Sequence, residues 1–362
     1  MRRTAALILG GGPAGAAAAI RLAEAGQRPL LLERERETGD ALCGGFLSWR
    51  TLESLARLGV DTDTLGPSRV TRLRLFTAKG RAEAALPGIA RGVSRRRLDS
   101  TLLAHAERLG AGIERGVSIR ALEAEGARLG DGTIVRGDAI LLATGKHELR
   151  GAVRTSELPA DPVLGLRTRL DGHVSLDGVI ELHLFDGGYA GLVLQEDGTA
   201  NLCMAVHRSR LEAAGSPEAL LAALGEANPA LGERLARRSS GARIDAVANI
   251  PYGWRAHATA PGRFRLGDQA AVIPSLAGEG IGIALASGES AAAALIRGGP
   301  GAAEVWQPRF ARQAARPMRV AGLVRMAAEH RYGADFLVAA ARLAPGLVSP
   351  IAALSRIATM PN

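Results

Sequence analysis

The N-terminal stretch AALILGGGPAGAAAAIRLAEAGQRPLLLER, residues 5–34, restricts the chain more than any other. An apolar run, Ala5–Leu9, enters the cluster Gly10-Gly11-Gly12-Pro13-Ala14-Gly15, an alanine-rich segment follows, and a second apolar run, Pro29–Leu32, ends on Glu33. This order predicts strand, turn, helix and strand, with G-x-G-x-x-G at Gly10, Gly12 and Gly15. Gly10 permits the tight turn, Gly12 lets a pyrophosphate reach the backbone, and Gly15 lets the helix that opens at Pro13 and Ala14 lie close to the strand. The helix N-terminus offers free N–H groups and partial positive charge to phosphates. Glu33 follows Gly15 by 18 residues, at the end of the second strand, where a carboxylate can accept two ribose hydroxyls. The unit predicts a bound dinucleotide.

Met1-Arg2-Arg3 ahead of an apolar run also resembles the start of a signal peptide. The glycines and Pro13 interrupt that run, and Glu24 and Glu33 continue a regular amphipathic pattern, so the segment is expected to belong to the folded body.

With 362 residues the chain can bury an ample core, built mainly from Ala, Leu, Val and Ile because aromatics make up only 3%. The net charge of +9 is almost all arginine, spread along the sequence without aromatic interleaving, which argues against a nucleic-acid partner. Cys43 and Cys203 are the only cysteines, too few for an iron–sulfur cluster, and no metal site is expected. A reducing, cytoplasmic location fits this cysteine usage. No apolar run reaches the roughly 18–20 residues that span a bilayer.

Taken in order, Cys43-Gly44-Gly45 forms a turn, and Ser48 caps a helix to about Leu58. Residues 69–76 and 81–85 read as strands, and a helix is expected over Leu98–Leu109. From Ile113 to Leu142 short strands separated by turns lead into the apolar strand Ala139–Leu142 and the turn Ala143-Thr144-Gly145. Four strands, Val163–Leu170, Val179–Leu184, Gly188–Leu194 and Ala200–Val206, predict a second, antiparallel sheet. Phe185, Tyr189 and Met204 of this sheet are either core or the lining of a pocket. Helices at Pro217–Leu224 and Leu231–Arg238 and a strand near Ile244–Asn249 follow. Arg263–Leu266 then stops at Gly267-Asp268, and Pro274 with Gly278, Gly280 and Gly282 sets backbone against a flat ligand at the start of a helix from Ile281. The tail from Trp306 reads as basic, alanine-rich helix broken at Pro317, Pro345 and Pro350, expected to pack on the body rather than on a membrane.

Three stretches, Gly10–Glu33, Ala139–Gly145 and Gly267–Gly288, resemble the FAD-binding signatures of the p-hydroxybenzoate hydroxylase fold group. Within that group, Cys43-Gly44-Gly45, Arg95-x-x-Leu98-Asp99 and Gly267-Asp268…Pro274…Gly278-Glu279-Gly280-Ile281 are most similar to geranylgeranyl-reductase-type flavoproteins. The resemblance implies an α/β fold: a Rossmann-like FAD-binding domain with an inserted antiparallel-sheet substrate domain and C-terminal helices. It implies FAD as cofactor, with Gly10, Gly12, Gly15, Glu33, Arg34 and Arg95 at the ADP half and linker. Gly267, Asp268, Gly280 and Ile281 would hold the ribityl and flavin half, and Cys43 would face the ring. Tyr189 is the expected proton donor. The implied division is 1–68, 92–150 and 251–300 for the FAD-binding domain, 69–91 and 151–250 for the substrate sheet, and 301–362 for the helical tail.

Hydroxylases of the group carry an Asp-Gly motif where this chain has Ala143-Thr144-Gly145-Lys146-His147, and the tryptophans are isolated, unlike the Trp-x-Trp-x-Ile-Pro of flavin halogenases. The expected reaction is hydride transfer that reduces or forms a C=C bond in a small apolar, isoprenoid- or polyketide-like substrate. Monooxygenation and a non-catalytic electron carrier are the alternatives. There is no second G-x-G-x-x-G unit, so NADPH or NADH would bind transiently, or a separate electron donor would serve.

Overall fold

The computed structural model describes residues 2–124, 126–154, 159–239 and 241–358. Its first unit is β1 (Arg2–Leu9), α1 (Pro13–Glu24) and β2 (Leu30–Glu33). Then come β3 (Phe46–Leu47), α2 (Trp49–Arg57), β4 (Arg69–Thr77), β5 (Gly80–Gly92) and α3 (Arg95–Arg108). Strands β6 (Gly112–Arg115), β7 (Ile119–Glu123), β8 (Gly126–Leu129) and β9 (Ile134–Leu142) follow. The next four are β10 (Val163–Leu170), β11 (Gly178–Phe185), β12 (Gly188–Leu194) and β13 (Ala200–His207). Helices α4 (Arg208–Ala214), α5 (Pro217–Ala227) and α6 (Pro229–Leu235) lead to edge strand β14 (Asp245–Val247), then β15 (Arg263–Arg265) and α7 (Gly280–Gly298). The tail is α8 (Ala302–Gln313), α9 (Ala315–Ala328), α10 (Arg331–Leu343) and α11 (Val348–Leu354).

One sheet has the order β6-β2-β1-β9-β8-β7, with β15 also on β9. β1 is parallel to both neighbours, Leu7 and Leu9 standing opposite Leu30 and Leu32 on one side and Ile140 and Leu142 on the other. Its residues Ala6–Leu9 are buried on both faces, which is why they form an unbroken apolar run. Helices α1 and α7 touch backbone to backbone, since a Cβ on Gly288 would overlap the Ala14 carbonyl oxygen. That contact brings the start of α7 alongside the glycine turn.

The second sheet has the order β14-β10-β13-β12-β11-β4-β5-β3. β10, β11, β12 and β13 lie within a residue of their expected bounds at either end, and the turns Asp186-Gly187 and Asp197-Gly198 hold glycines with positive φ. The sheet is not antiparallel throughout: β4 and β11 are parallel, because β4 arrives from the N-terminal half of the chain.

Several bounds differ from the sequence reading. α3 opens at Arg95, ahead of the expected Leu98, because the Ser94 Oγ accepts from the Arg97 N–H and caps it. The strand expected over 81–85 is the long β5, α4 occupies a stretch to which no element was assigned, and α6 starts and ends earlier than expected. Pro317 does not break the tail; the break is at Ala314, and Pro317 sits in the first turn of α9, where a missing N–H leaves no intrahelical bond unmade. The last residues of the tail, 359–362, lie outside the described residues.

Candidate functional site

Gly10 has φ +109°, and a Cβ there would stand 2.5 Å from the Ala143 carbonyl oxygen, so the turn demands glycine. A Cβ on Gly15 would overlap the Gly10 carbonyl oxygen. Gly12 is the N-cap of α1 and has no side-chain cap, which leaves the first-turn N–H groups open. The Glu33 carboxylate accepts from the backbone N–H groups of Gly11, 2.6 Å, and Glu35, 2.9 Å, which fixes it beside the turn. Arg34 is exposed and pairs with Glu35 at 2.9 Å. The guanidinium of Arg95 lies next to Gly12 and is held by Asp99 through a 2.7 Å contact. Burial works against its charge, but Asp99 outweighs that and keeps it protonated.

The turn after β9 is strapped to the turn after β15. Gln269 Nε2 donates to the carbonyls of Gly145 and His147, both at 3.0 Å, and Arg154 donates to those of Asp268, 3.0 Å, and Lys146, 2.8 Å. Thr144 Oγ1 donates to the His147 carbonyl, tightening the same turn. Across it the Lys146 ammonium meets the Asp268 carboxylate at 3.1 Å. Asp268 raises the lysine pKa against the opposing effect of burial, so the cation persists.

The Cys43 turn is fastened to the second sheet. Asn201 Nδ2 donates to the carbonyls of Cys43, 3.0 Å, and Gly44, 2.9 Å, while Asp40 is gripped by Arg169 at 2.6 Å and Arg167 at 2.9 Å. Cys203 lies on the facing strand, and burial pushes its thiol up to about 12.

Tyr189 is buried on β12, its phenol accepting from the Leu276 N–H at 2.9 Å and bonded to Ser275 Oγ at 2.7 Å. The phenol of Tyr252 also reaches Ser275 Oγ at 2.7 Å. Burial raises both phenols above their ordinary pKa, so both remain protonated at neutral pH. Beyond Pro274 the chain turns at Gly278 against the Phe46 ring and enters α7. Buried Glu279 accepts from Arg356, 3.1 Å, and from the Ile357 N–H, 3.1 Å, so the C-terminal segment braces this turn.

One cleft collects these groups. Among the residues expected at the site, Gly12, Pro13, Ala14, Cys43, Gly44, Arg95, Ala143 and Gly145 line it on the nucleotide side. Tyr189, Gly267, Asp268, Gly278, Gly280 and Ile281 complete that set. Gly10, Gly15, Glu33, Arg34, Thr144, Pro274 and Gly282 do not line it. The sequence reading missed Lys146, Cys203, Tyr252 and Ser275; Lys146 is one of only two lysines in an arginine-rich chain, a signal that was available. Leu42, Ile180, Leu182, Leu192, Met204 and Ile250 give the cleft an apolar lining. Among the described residues no cluster of acidic, histidine or cysteine side chains could hold a metal ion.

These residues fit FAD. Two helix N-termini without side-chain caps, those of α1 and α7, open into the same cleft, with the Arg95 cation between the glycine turn and Asp99. Glu33 would meet the ribose, Gly12 and Arg95 the pyrophosphate, and Gly280 and Ile281 the flavin.

Residues 3–136 match the FAD binding domain family. The chain is 28% identical over 315 residues to the menaquinone reductase of Mycobacterium tuberculosis, spanning 79% of this chain and 75% of that protein. A geranylgeranyl bacteriochlorophyll reductase-like protein from Thermoplasma acidophilum superposes with a TM-score of 0.75 at 19% identity, over 94% of this chain and 91% of the other. A probable FAD-dependent monooxygenase from Pseudomonas aeruginosa does so with 0.74 at 17%, over 93% and 99%. With the glycine turn, the strapped turns and the uncapped helix starts all facing one cleft, residues 3–136 match an FAD binding domain, and the chain as a whole shares its fold with these reductase-like and monooxygenase flavoproteins.

Proposed function

We propose that the protein reduces, or in reverse forms, a C=C bond in an apolar isoprenoid-like molecule, an isoprenoid quinone being the first substrate to try. The observation that carries this reading is that β11, β12 and β13 bring apolar side chains into the same cleft that Cys43, Lys146 and Tyr189 line. The similarity to a menaquinone reductase supports the substrate class. FAD supplies hydride transfer at N5 when bound. The apolar lining would exclude water and orient the chain of the substrate. Tyr189 would give a proton to the alkene carbon next to the one that accepts the hydride FAD would supply. Its phenol is kept protonated by burial, and Ser275 with Tyr252 forms the path that restores the proton. Cys43 would stand at the reacting face, and Lys146 would hold Asp268 in place.

The test is anaerobic mixing of the flavin-loaded protein with NADPH and then NADH, followed by a soluble menaquinone analogue. Bleaching of the flavin by either nucleotide, then its recovery with loss of one substrate double bond, supports the reading; recovery with only the quinone ring reduced would replace it with quinone reduction. When air is then admitted, substrate-dependent oxygen uptake with hydroxylated product would replace it with monooxygenation. A flavin that cycles while no small molecule changes would replace it with electron carriage, and a flavin reduced only by a protein donor would assign the electrons to a separate partner.

A further inference from the structure

The tail helices are apolar on two sides. Pro317, Met318, Ala321 and Ala328 of α9, and Ala334, Val338 and Ala341 of α10, are buried against the body. On other faces Leu323 and Met326 are 69% and 70% exposed, Tyr332 and Phe336 both 69%, and Leu343 88%. Leu347, Ile351 and Leu354 continue the pattern around α11. Their spacings of three, four and seven residues place them in stripes. Most of the exposed large apolar side chains of the described molecule fall within residues 323–354, whereas single exposed apolar side chains elsewhere are ordinary.

The charge on these helices is lopsided. Glu329 is taken by Arg325 at 2.6 Å and Asp335 by Lys79 at 2.7 Å. Arg316 and Arg319, two turns and one turn ahead of Leu323 on the same stripe, are exposed and form no ion pair among the described residues. A two-fold self-interface on this stripe would bring such cations toward each other; an anionic surface complements them. Among the described residues no single helix is long and apolar enough to cross a membrane, and α10 meets the segment containing α11 at 110°, so the helices can lie along a surface but not traverse it as one rod. The same layer packs against residues that line the cleft: Ala328, Ala334 and Leu337 lie with Tyr189 and Leu182, and the Arg325 guanidinium lies 4.8 Å over the Tyr252 ring.

We propose that α9, α10 and α11 dock the protein on an anionic lipid bilayer, the apolar stripes entering the headgroup–acyl boundary and Arg316 and Arg319 meeting lipid phosphates. The docking does not depend on which reaction the cleft performs. The test is co-sedimentation of the flavin-loaded protein with vesicles of phosphatidylcholine, alone or mixed with phosphatidylglycerol. The wild-type protein is expected to sediment with the mixed vesicles and to be released in part by salt. Arg316→Gln with Arg319→Gln should lower the partition coefficient by roughly 10- to 30-fold. Phe336→Ser with Leu343→Ser should lower it at least about 10-fold, both pairs keeping wild-type flavin content and melting temperature. Absence of binding to the mixed vesicles overturns the proposal. So does a dimer of the wild-type protein that Phe336→Ser with Leu343→Ser dissociates without any vesicle binding, which would make the face an interface between two copies.

Discussion

The Lys146 ammonium stands 3.1 Å from the Asp268 carboxylate, joining the turn after β9 to the turn after β15 across the cleft. Both side chains keep some contact with solvent, so the pair itself contributes only about 1 kcal/mol. Lys146→Met and Asp268→Asn should each lower stability by that amount, and the double variant should lose little more than either alone. A double-mutant cycle on thermal unfolding measures the coupling. Additive losses would mean that the two residues act independently.

Gly10→Ala should abolish FAD retention. The substitution places a Cβ at positive φ and 2.5 Å from the Ala143 carbonyl oxygen, at a cost of about 2 kcal/mol or more. Flavin-to-protein ratio after gel filtration reads the outcome. Gly301→Ala, where a Cβ meets open space, is the control that should retain FAD.

The two cysteines should separate by role. Cys43→Ala is expected to keep FAD and slow turnover about tenfold or more, while a Cys43 that serves only as packing would leave turnover unchanged. The Cys203 thiol, raised to about 12 by burial, is protonated throughout the neutral range, so alkylation at neutral pH should leave Cys203 unlabelled in peptide mapping.

Arg356 and Glu279 form a buried pair, 6% and 0% exposed at the side chain. Arg356→Ala leaves the carboxylate buried without its cation and should cost about 3–5 kcal/mol in thermal unfolding. Arg356→Ala with Glu279→Gln should recover much of that loss. No recovery would place the effect of Arg356 in its stacking over Trp49, whose ring lies 4.9 Å away.

Buried Glu181 accepts from Arg74 at 2.8 Å and Arg234 at 3.0 Å and lies 3.3 Å from His183. Burial alone would raise its pKa, but these partners outweigh burial and hold it at about 2 against an ordinary 4.5. A depressed carboxylate stabilises the fold fully above its unfolded pKa and loses that contribution as pH falls toward the folded value. Stability should therefore decline between about pH 4.5 and 2. Glu181→Gln should flatten that limb in a series of chemical denaturation curves.

The cofactor domain was legible because its constraints are local. A tight turn, an uncapped helix start and a doubly covered strand each need particular residue types at fixed spacing, and Gly10, Gly15 and the run Ala6–Leu9 carry them without reference to distant sequence. The strands of the second sheet were legible for the same reason, since alternation and DG turns are short-range signals. The parallel pairing of β4 with β11 was not, because register between strands about a hundred residues apart is set by packing. Nor could spacing join Lys146 to Asp268, Tyr189 to Ser275 and Tyr252, or Arg356 to Glu279, contacts that exist only once the chain is folded. The sequence alone determined that a dinucleotide site opens the chain and that FAD suits it. Only tertiary structure decided which polar groups share the cleft and which apolar faces of the tail stay uncovered, because both depend on what packs against each side chain.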